Sequence, residues 1–352
     1  MTIPAANGEP ARKIGVIKLP TFYQDFEGRR RNAADYASAT RDVAKLLAGF
    51  KNDKLDGVVL DLRNNGGGSL DEAIELTGLF IEQGPVVQVR ESGGRVTVNS
   101  DRNQGVAWDG PLAVLINRGS ASASEIFAGA IQDYGRGLVI GETSFGKGTV
   151  QNIVDLDRWP SGETQRFGRV KLTIAHVDAT EFGESTYDNA LPWTRIAAVP
   201  HTQYGNFAPL LPKLETRHDA RIATDKEFQW WNEDVQQFRT EAAKKYISLN
   251  EATRRAERER QDTQRKERQV QRKELGLALD PLADDSSDDG LTGNERDIVK
   301  DAAREKAAEK RPDPLLRESA SILADAVNLL ANDRPLSAQV LPQSTGAGRW
   351  AD

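Results

Sequence analysis

Cysteine is absent from all 352 residues. That excludes disulfides, thiolate metal sites and thiol catalysis, and it fits an oxidising compartment. Histidine is scarce: His176, His201 and His218 are the whole complement. There is no excess of positive charge. Lys and Arg number 47 against 53 Asp and Glu, a net charge of −6, so general nucleic-acid binding is a poor reading and no nucleic-acid partner is expected. No apolar run has the length to span a bilayer as a helix. The opening residues, MTIPAANGEPARK, contain no apolar stretch of the kind a secretory signal needs; read as given, the chain would stay in the cytoplasm where it is made. What remains is 38% apolar and 28% charged, with length enough for two domains and at least one sizeable core.

The first half alternates strand and helix signals. KIGVIKLP (13–20) is β-branched and ends at proline, a strand pattern. Val43, Leu46, Leu47 and Phe50 recur at helical spacing and predict an amphipathic helix over 32–51. DGVVLDLR (56–63) is an apolar run of strand length, broken by NNGGG. In the following helix Ser69 and Glu72 form a capping box and Gly84 is the stop. Two strand-like runs flank Gly93 and Gly94 as a hairpin. PLAVLINR (111–118) predicts a buried strand, then a helix over 122–134 and a strand over 137–142. GTVQNIVDL and RVKLTIA complete an α/β layer with a mixed sheet. From about Leu214 strand signals vanish. EATRRAERERQDTQRKERQVQRKEL nearly balances acids against bases and reads as a solvated helix. An acidic linker occupies 280–294, two helices follow at about 295–309 and 314–332, and the tail is loose.

One segment, NRGSASASEIFAGAIQDYGRGLVIGETSFGKGTVQ (117–151), carries chemistry. A buried strand ends, the chain turns, and a helix starts near Ser122. The first N–H groups of a helix have no internal acceptor, and they sit at the positive end of its dipole. A serine there is exposed at the sheet edge beside donors suited to an oxyanion. Ser122 and Glu125 also read as an ordinary capping box, and alternating serines as small residues for close packing. Lys147, between glycines just after a strand, adds a group that can take a proton when neutral; burial disfavours its charged form. DLRNNGGGS (61–69) adds glycine N–H groups as a second oxyanion donor, or is a plain flexible turn.

Together DLRNNGGG and GSASASEIFAGAIQDYGRGLVIGETSFGKGTVQ resemble the tail-specific, or C-terminal processing, proteases, serine endopeptidases with a Ser/Lys dyad. The resemblance implies a mixed-sheet α/β core of crotonase-like, ββα type over 13–187, followed by an all-helical C-terminal domain over 188–352; residues 1–12 would be a disordered stub. It places the nucleophile on Ser122 and the general base on Lys147, 25 positions later. Gln151 matches the glutamine that positions the lysine, and Asp133 matches an acid important in the family, taken here as support for the helix. Oxyanion donors fall on the N–H of Ala123 and of Gly67 or Gly68. The implied reaction is peptide hydrolysis through an acyl-enzyme, with no cofactor and no metal. Implied partners are unfolded or tail-marked proteins and an adaptor protein; the implied location is the periplasm. Three departures stand out. Nothing in residues 1–12 can be the PDZ domain that precedes the family core. About one hairpin of core is missing after Ala175, which would leave RVKLTIA an open edge prone to association. No signal peptide is present. A catalytically impaired remnant acting as a binding scaffold is the alternative. A crotonase-type acyl-CoA enzyme shares the glycine oxyanion hole, but a Ser/Lys pair does not belong there.

Overall fold

The structure is a computed structural model that describes residues 1–6, 8–91, 94–155, 169–176, 196–244, 246, 248–283 and 298–341; for 149–155, 169–176 and 298–300 the description is of the backbone. In chain order the elements are β1 (Thr2–Ile3), β2 (Arg12–Lys18), α1 (Phe26–Arg30), α2 (Ala39–Asn52), β3 (Gly57–Asp61), α3 (Leu70–Gly78), β4 (Gly84–Glu91), β5 (Val96–Asp101), β6 (Leu112–Ile116), α4 (Ala123–Asp133), β7 (Leu138–Gly141), β8 (Thr149–Asp155), β9 (Arg169–His176), α5 (Leu211–Ile222), α6 (Lys226–Ala243), α7 (Glu251–Glu274), α8 (Ile298–Ala308), α9 (Pro314–Asn332) and α10 (Arg334–Val340). The tip of the 93–94 hairpin, the 188–193 connection, most of the acidic linker and the tail after 341 lie outside the described residues.

Among the described residues the strands form two sheets. The first runs β1-β2-β3-β6-β7. Its β2, β3, β6 and β7 are parallel, and β1 adds an antiparallel edge, so the sheet is mixed. Parallel strands covered on both faces read as continuous apolar runs, and every residue of β3 is buried. Val58, Leu60 and Leu62 pack with Val43 and Leu47 of α2, Leu76 of α3 and Phe127 of α4 in one core. The second sheet is antiparallel, in the order β5-β4-β9-β8. The RVKLTIA strand, β9, pairs with β8 along its length and meets β4 only at Ala175 and His176, so among the described residues its other edge is without a strand partner over 169–174. The outer strands are β5 and β8.

Helix α2 starts at Ala39, not at 32. Ser38 is its cap, in an extended conformation with its hydroxyl accepting the Arg41 N–H, and Asn32 has a positive φ, so the preceding polar residues form a turn. The short helices α1 and α10 carry no long apolar periodicity and went unread in the sequence.

The chain groups into two compact units, 1–219 with 318–352, and 220–317. The helical part of the chain is thus divided: α10 and most of α5 and α9 group with the sheets. In the other unit α6 and α7 are held by charge and aromatic contacts. Glu227, almost fully buried, accepts from Arg272 and Arg317, and Arg268 and Arg272 lie over the Trp230 ring. Among the described residues no helix is long and apolar enough to cross a membrane.

Candidate active site

Parallel strands β3 and β6 are adjacent, so the loops leaving their C-terminal ends open at the same edge of the sheet. Asparagines lace these loops together. Asn117 Nδ2 donates to Asn64 Oδ1 at 3.0 Å, and Asn117 Oδ1 accepts the Asn64 N–H at 2.8 Å. Asn65, wholly buried, donates from Nδ2 to the Leu19 carbonyl at 2.8 Å, and its own carbonyl accepts the Ala121 N–H at 3.0 Å. Beneath them Asp61 holds Arg63 through both carboxylate oxygens, at 2.9 and 2.7 Å.

The three serines are not equivalent. Ser120 Oγ donates to the Leu62 carbonyl at 2.8 Å, and Ser124 Oγ donates to the Asn65 carbonyl at 2.8 Å; both residues have no exposed surface. They act as buried ties between the loops. Ser122 is half-buried and has φ 58° and ψ −115°. That is a costly conformation for a residue with a Cβ, about 1–3 kcal/mol, and such strain clusters at functional sites. It is the turn that lifts a side chain off the end of a strand as the helix begins.

Glu125 does more than start a helix. Its Oε2 accepts the Ser122 N–H at 2.7 Å and the Lys147 N–H at 2.9 Å. Its Oε1 accepts the Gly146 N–H at 2.6 Å and the Ser144 hydroxyl at 2.7 Å. The backbone nitrogens of Ser122 and Lys147 thus lie within two hydrogen-bond lengths of each other through one oxygen. A further bond, Phe145 N–H to the Ser120 carbonyl at 2.9 Å, closes the lysine loop onto the serine turn. Lys147 is half-buried between Gly146 and Gly148, both buried.

The glycine loop lies against the same turn. A Cβ on Gly67 would sit 2.7 Å from Ser122 Cβ and 3.0 Å from the Ala123 nitrogen. Gly67 has φ 102° and Gly68 φ 151°. The Gly67 N–H is already engaged, donating to Asn65 Oδ1 at 2.9 Å. Ala123 is the first residue of α4, where a helix leaves its N–H without an internal acceptor.

The structure therefore brings the backbone of Ser122, Ala123, the Gly67–Gly68 loop and Lys147 to one place. It does not bring Asp133 to them. Asp133 is the last residue of α4, about 16 Å along the axis from Ser122 at 1.5 Å per helical residue. Burial pushes its carboxyl up, opposed by nearby His201. Gln151 is on β8, opposite Thr173 and just after a register shift at Val150; its side chain lies outside the described residues. Glu125's bond to the Ser122 N–H is the capping-box bond the sequence predicted. Its reach to Ser144, Gly146 and Lys147, together with Asn65 and the Asp61–Arg63 pair, is what reading the sequence missed. Among the described residues no three His, Asp or Glu side chains are placed to hold a metal ion.

Two family descriptions match the chain in succession. Peptidase family S41 matches residues 13–185, and the C-terminal domain of tail specific protease matches residues 177–328. The chain belongs to peptidase family S41. Relatives in the family include a tail-specific protease of Haemophilus influenzae, 41% identical over 72% of this chain and 38% of that protein. A chloroplastic carboxyl-terminal-processing peptidase 2 of Arabidopsis thaliana is 40% identical over 53% of this chain and 33% of its own. Among solved structures, a photosystem II D1 C-terminal processing protease is similar over 51% of this chain and 44% of its own, at 29% identity and a TM-score of 0.38. The chain spans less than half the length of each of these proteins.

Proposed function

We propose that the chain is a serine endopeptidase in which Ser122 is the nucleophile and Lys147 the general base. Ser122 Oγ attacks the scissile carbonyl carbon while the Lys147 amine takes the hydroxyl proton. The carbonyl oxygen becomes an oxyanion, received by the N–H of Ala123 and, from the glycine loop, of Gly68, since the Gly67 N–H is held by Asn65. Collapse of this adduct expels the amine, which takes the proton back from Lys147, and leaves an acyl-enzyme. Water then attacks the ester, with Lys147 again accepting a proton, and Ser122 is regenerated. Gln151 is assigned to orienting the lysine. Asp133 supports the helix and takes no part in proton transfer.

One observation carries this reading: a single Glu125 oxygen accepts from the backbone of both the serine and the lysine. That bond fixes the lysine's stretch of backbone beside the strained serine turn. Substrates are proposed to be unfolded or tail-marked proteins, presented in the periplasm with or without an adaptor, as the tail-specific type implies.

The test is incubation with an unfolded protein bearing an apolar C-terminal tail. The chain is expected to produce fragments, and Ser122→Ala and Lys147→Ala to produce none. Lys147→Arg should be equally inactive, because a guanidinium does not give up its proton. A fluorophosphonate probe should label Ser122. Labelling of Ser120 or Ser124 instead, or binding of the unfolded protein with no cleavage by the unaltered chain, would overturn the assignment and leave a scaffold.

A further inference from the structure

At the end of α4 opposite Ser122, the segment 199–206 crosses the helix terminus. The Tyr204 N–H donates to the Tyr134 carbonyl at 2.7 Å, and the Asn206 N–H to the Val340 carbonyl of α10 at 2.7 Å. The Tyr204 hydroxyl accepts the Glu82 N–H. Gly135, at φ 56°, lets the two chains approach so closely that a Cβ there would sit 1.9 Å from the Gly205 oxygen. In this crossing lies His201. Its Nδ1 is 3.1 Å from the Val199 carbonyl and its Nε2 is 3.1 Å from the Asp133 carbonyl.

A carbonyl oxygen only accepts. A neutral imidazole offers one donor and one acceptor, so with two carbonyls one ring nitrogen would face an oxygen lone pair to lone pair. Only the imidazolium donates to both. The setting agrees. The ring meets the C-terminal, negative end of the α4 dipole. It packs on the Tyr134 ring at 4.8 Å between centroids, and the Asp133 carboxyl acts on it from the same helix. The remaining titratable groups around the crossing are Tyr134 from α4, Tyr204 from the segment itself, and Asp101, Glu82 and Arg136, which act on those tyrosines.

We infer that His201 is a protonation-dependent staple fastening the 199–206 segment to the C-terminal end of the nucleophile helix. The two carbonyl bonds, with the Asp133 charge, hold the imidazole above the usual histidine range against its partial burial. The sign follows. A base whose folded-state value is raised contributes stability that is complete below the ordinary histidine value of about 6.5 and is lost as pH rises through the raised value. The staple is therefore closed in mild acid and opens in mild alkali, where the segment keeps the Tyr204 and Asn206 bonds and loosens. This does not depend on catalysis and is tested equally well on Ser122→Ala.

The experiment follows the ring nitrogens of the three histidines in the full chain by NMR across pH, with His201 assigned by the signal missing from His201→Phe. In parallel, amide hydrogen exchange is read at Tyr204 and Asn206 and corrected for intrinsic base catalysis. His201 is expected to titrate above the ordinary value, and the corrected exchange to rise several-fold across that midpoint. His201→Phe keeps a ring against Tyr134 but has no N–H; it should exchange fast at every pH and show no step. Asp133→Asn should keep the step and move it to lower pH. A His201 midpoint at or below the ordinary value, corrected exchange indifferent to pH, or a step that survives in His201→Phe would each overturn the inference.

Discussion

Ser122 holds its φ of 58° because its neighbours leave it no alternative. Ser120 and Ser124 are anchored on either side, and Glu125 grips the Ser122 N–H. Glu125→Gln tests how much of that depends on the carboxylate. Each of its oxygens accepts two donors, and an amide NH2 can accept none. Losing bonds to a charged acceptor costs about 1.5–3 kcal/mol each. We expect kcat to fall by about 10- to 100-fold with a smaller change in KM, read from steady-state cleavage of a labelled peptide. An unchanged kcat would show the clamp to be dispensable. Asp101 presents a different case. It is almost fully buried, its Oδ1 accepts the Asn103 N–H at 3.1 Å, and its Oδ2 has no partner among the described residues. Burial pushes its carboxyl up, opposed by hydrogen bonds from Asn103 and Arg102. An acid raised in the folded state holds its proton more tightly there than in the unfolded chain, so its contribution to stability declines as pH rises from the ordinary range through the raised value. Asp101→Asn removes that decline. Urea denaturation should find the variant more stable than the parent near neutrality, with the gap closing at about pH 4, the ordinary carboxylate range.

At the scale of elements, the β3 and β6 loops and the first turn of α4 form one unit whose spacing is set by missing side chains. Gly67 stands against Ser122 and Gly68 against Phe22, where a Cβ would meet the Phe22 carbonyl at 2.2 Å. Gly67→Ala puts a methyl 2.7 Å from Ser122 Cβ at a φ of 102°. The expected result is loss of fluorophosphonate labelling at Ser122, with far-UV circular dichroism close to the parent, because the strain is confined to two loops. Full labelling of the variant would mean that the glycine is there for the turn alone. The glycines, the serine and the lysine were legible through the combined pattern of DLRNNGGG and GSASASEIFAGAIQDYGRGLVIGETSFGKGTVQ, since each alone has an ordinary reading as a turn, a cap or a loop residue. The reach of Glu125 beyond its cap was not. Ser-x-x-Glu at a helix start is the ordinary capping pattern, and the bond to the Ser122 N–H is what that pattern predicts; the clamp comes from the 144–147 loop closing on the same carboxylate, and no spacing rule links that loop to the cap. Asn65 was hidden for a related reason. Its partners, Leu19, Gly67, Ala121 and Ser124, come from three separated stretches, and no periodicity links them.

At the scale of the whole molecule, the order of helices along the chain conceals which core they complete. The pattern of α9 shows that it buries a face, and nothing in it says against what. In the structure Leu323, with no exposed surface, lies against Gly57 of β3, where a Cβ would be 2.9 Å from Leu323 Cδ2. Asp325 and Glu9 share Arg217, and Asn328 joins Glu9 to Arg12. These bonds tie the chain's first residues to α5 and α9 around the β2–β3 end of the sheet. Leu323→Ala should therefore behave as a core truncation, losing about 2–5 kcal/mol. Val270→Ala, at a side chain 57% exposed on α7, should change stability by no more than about 0.5 kcal/mol. A chain stopped at Arg311 should fail more severely. It keeps every strand and the Ser122 loops but uncovers Gly57 and leaves Arg217 and Arg12 without their α9 partners. Thermal melting followed by near-UV circular dichroism should show the sheet unit losing its cooperative transition. If the shortened chain instead melted at the parent temperature, α9 would be an accessory to the sheet, and the chain's two halves would fold as the letters alone divide them, strands first and helices after.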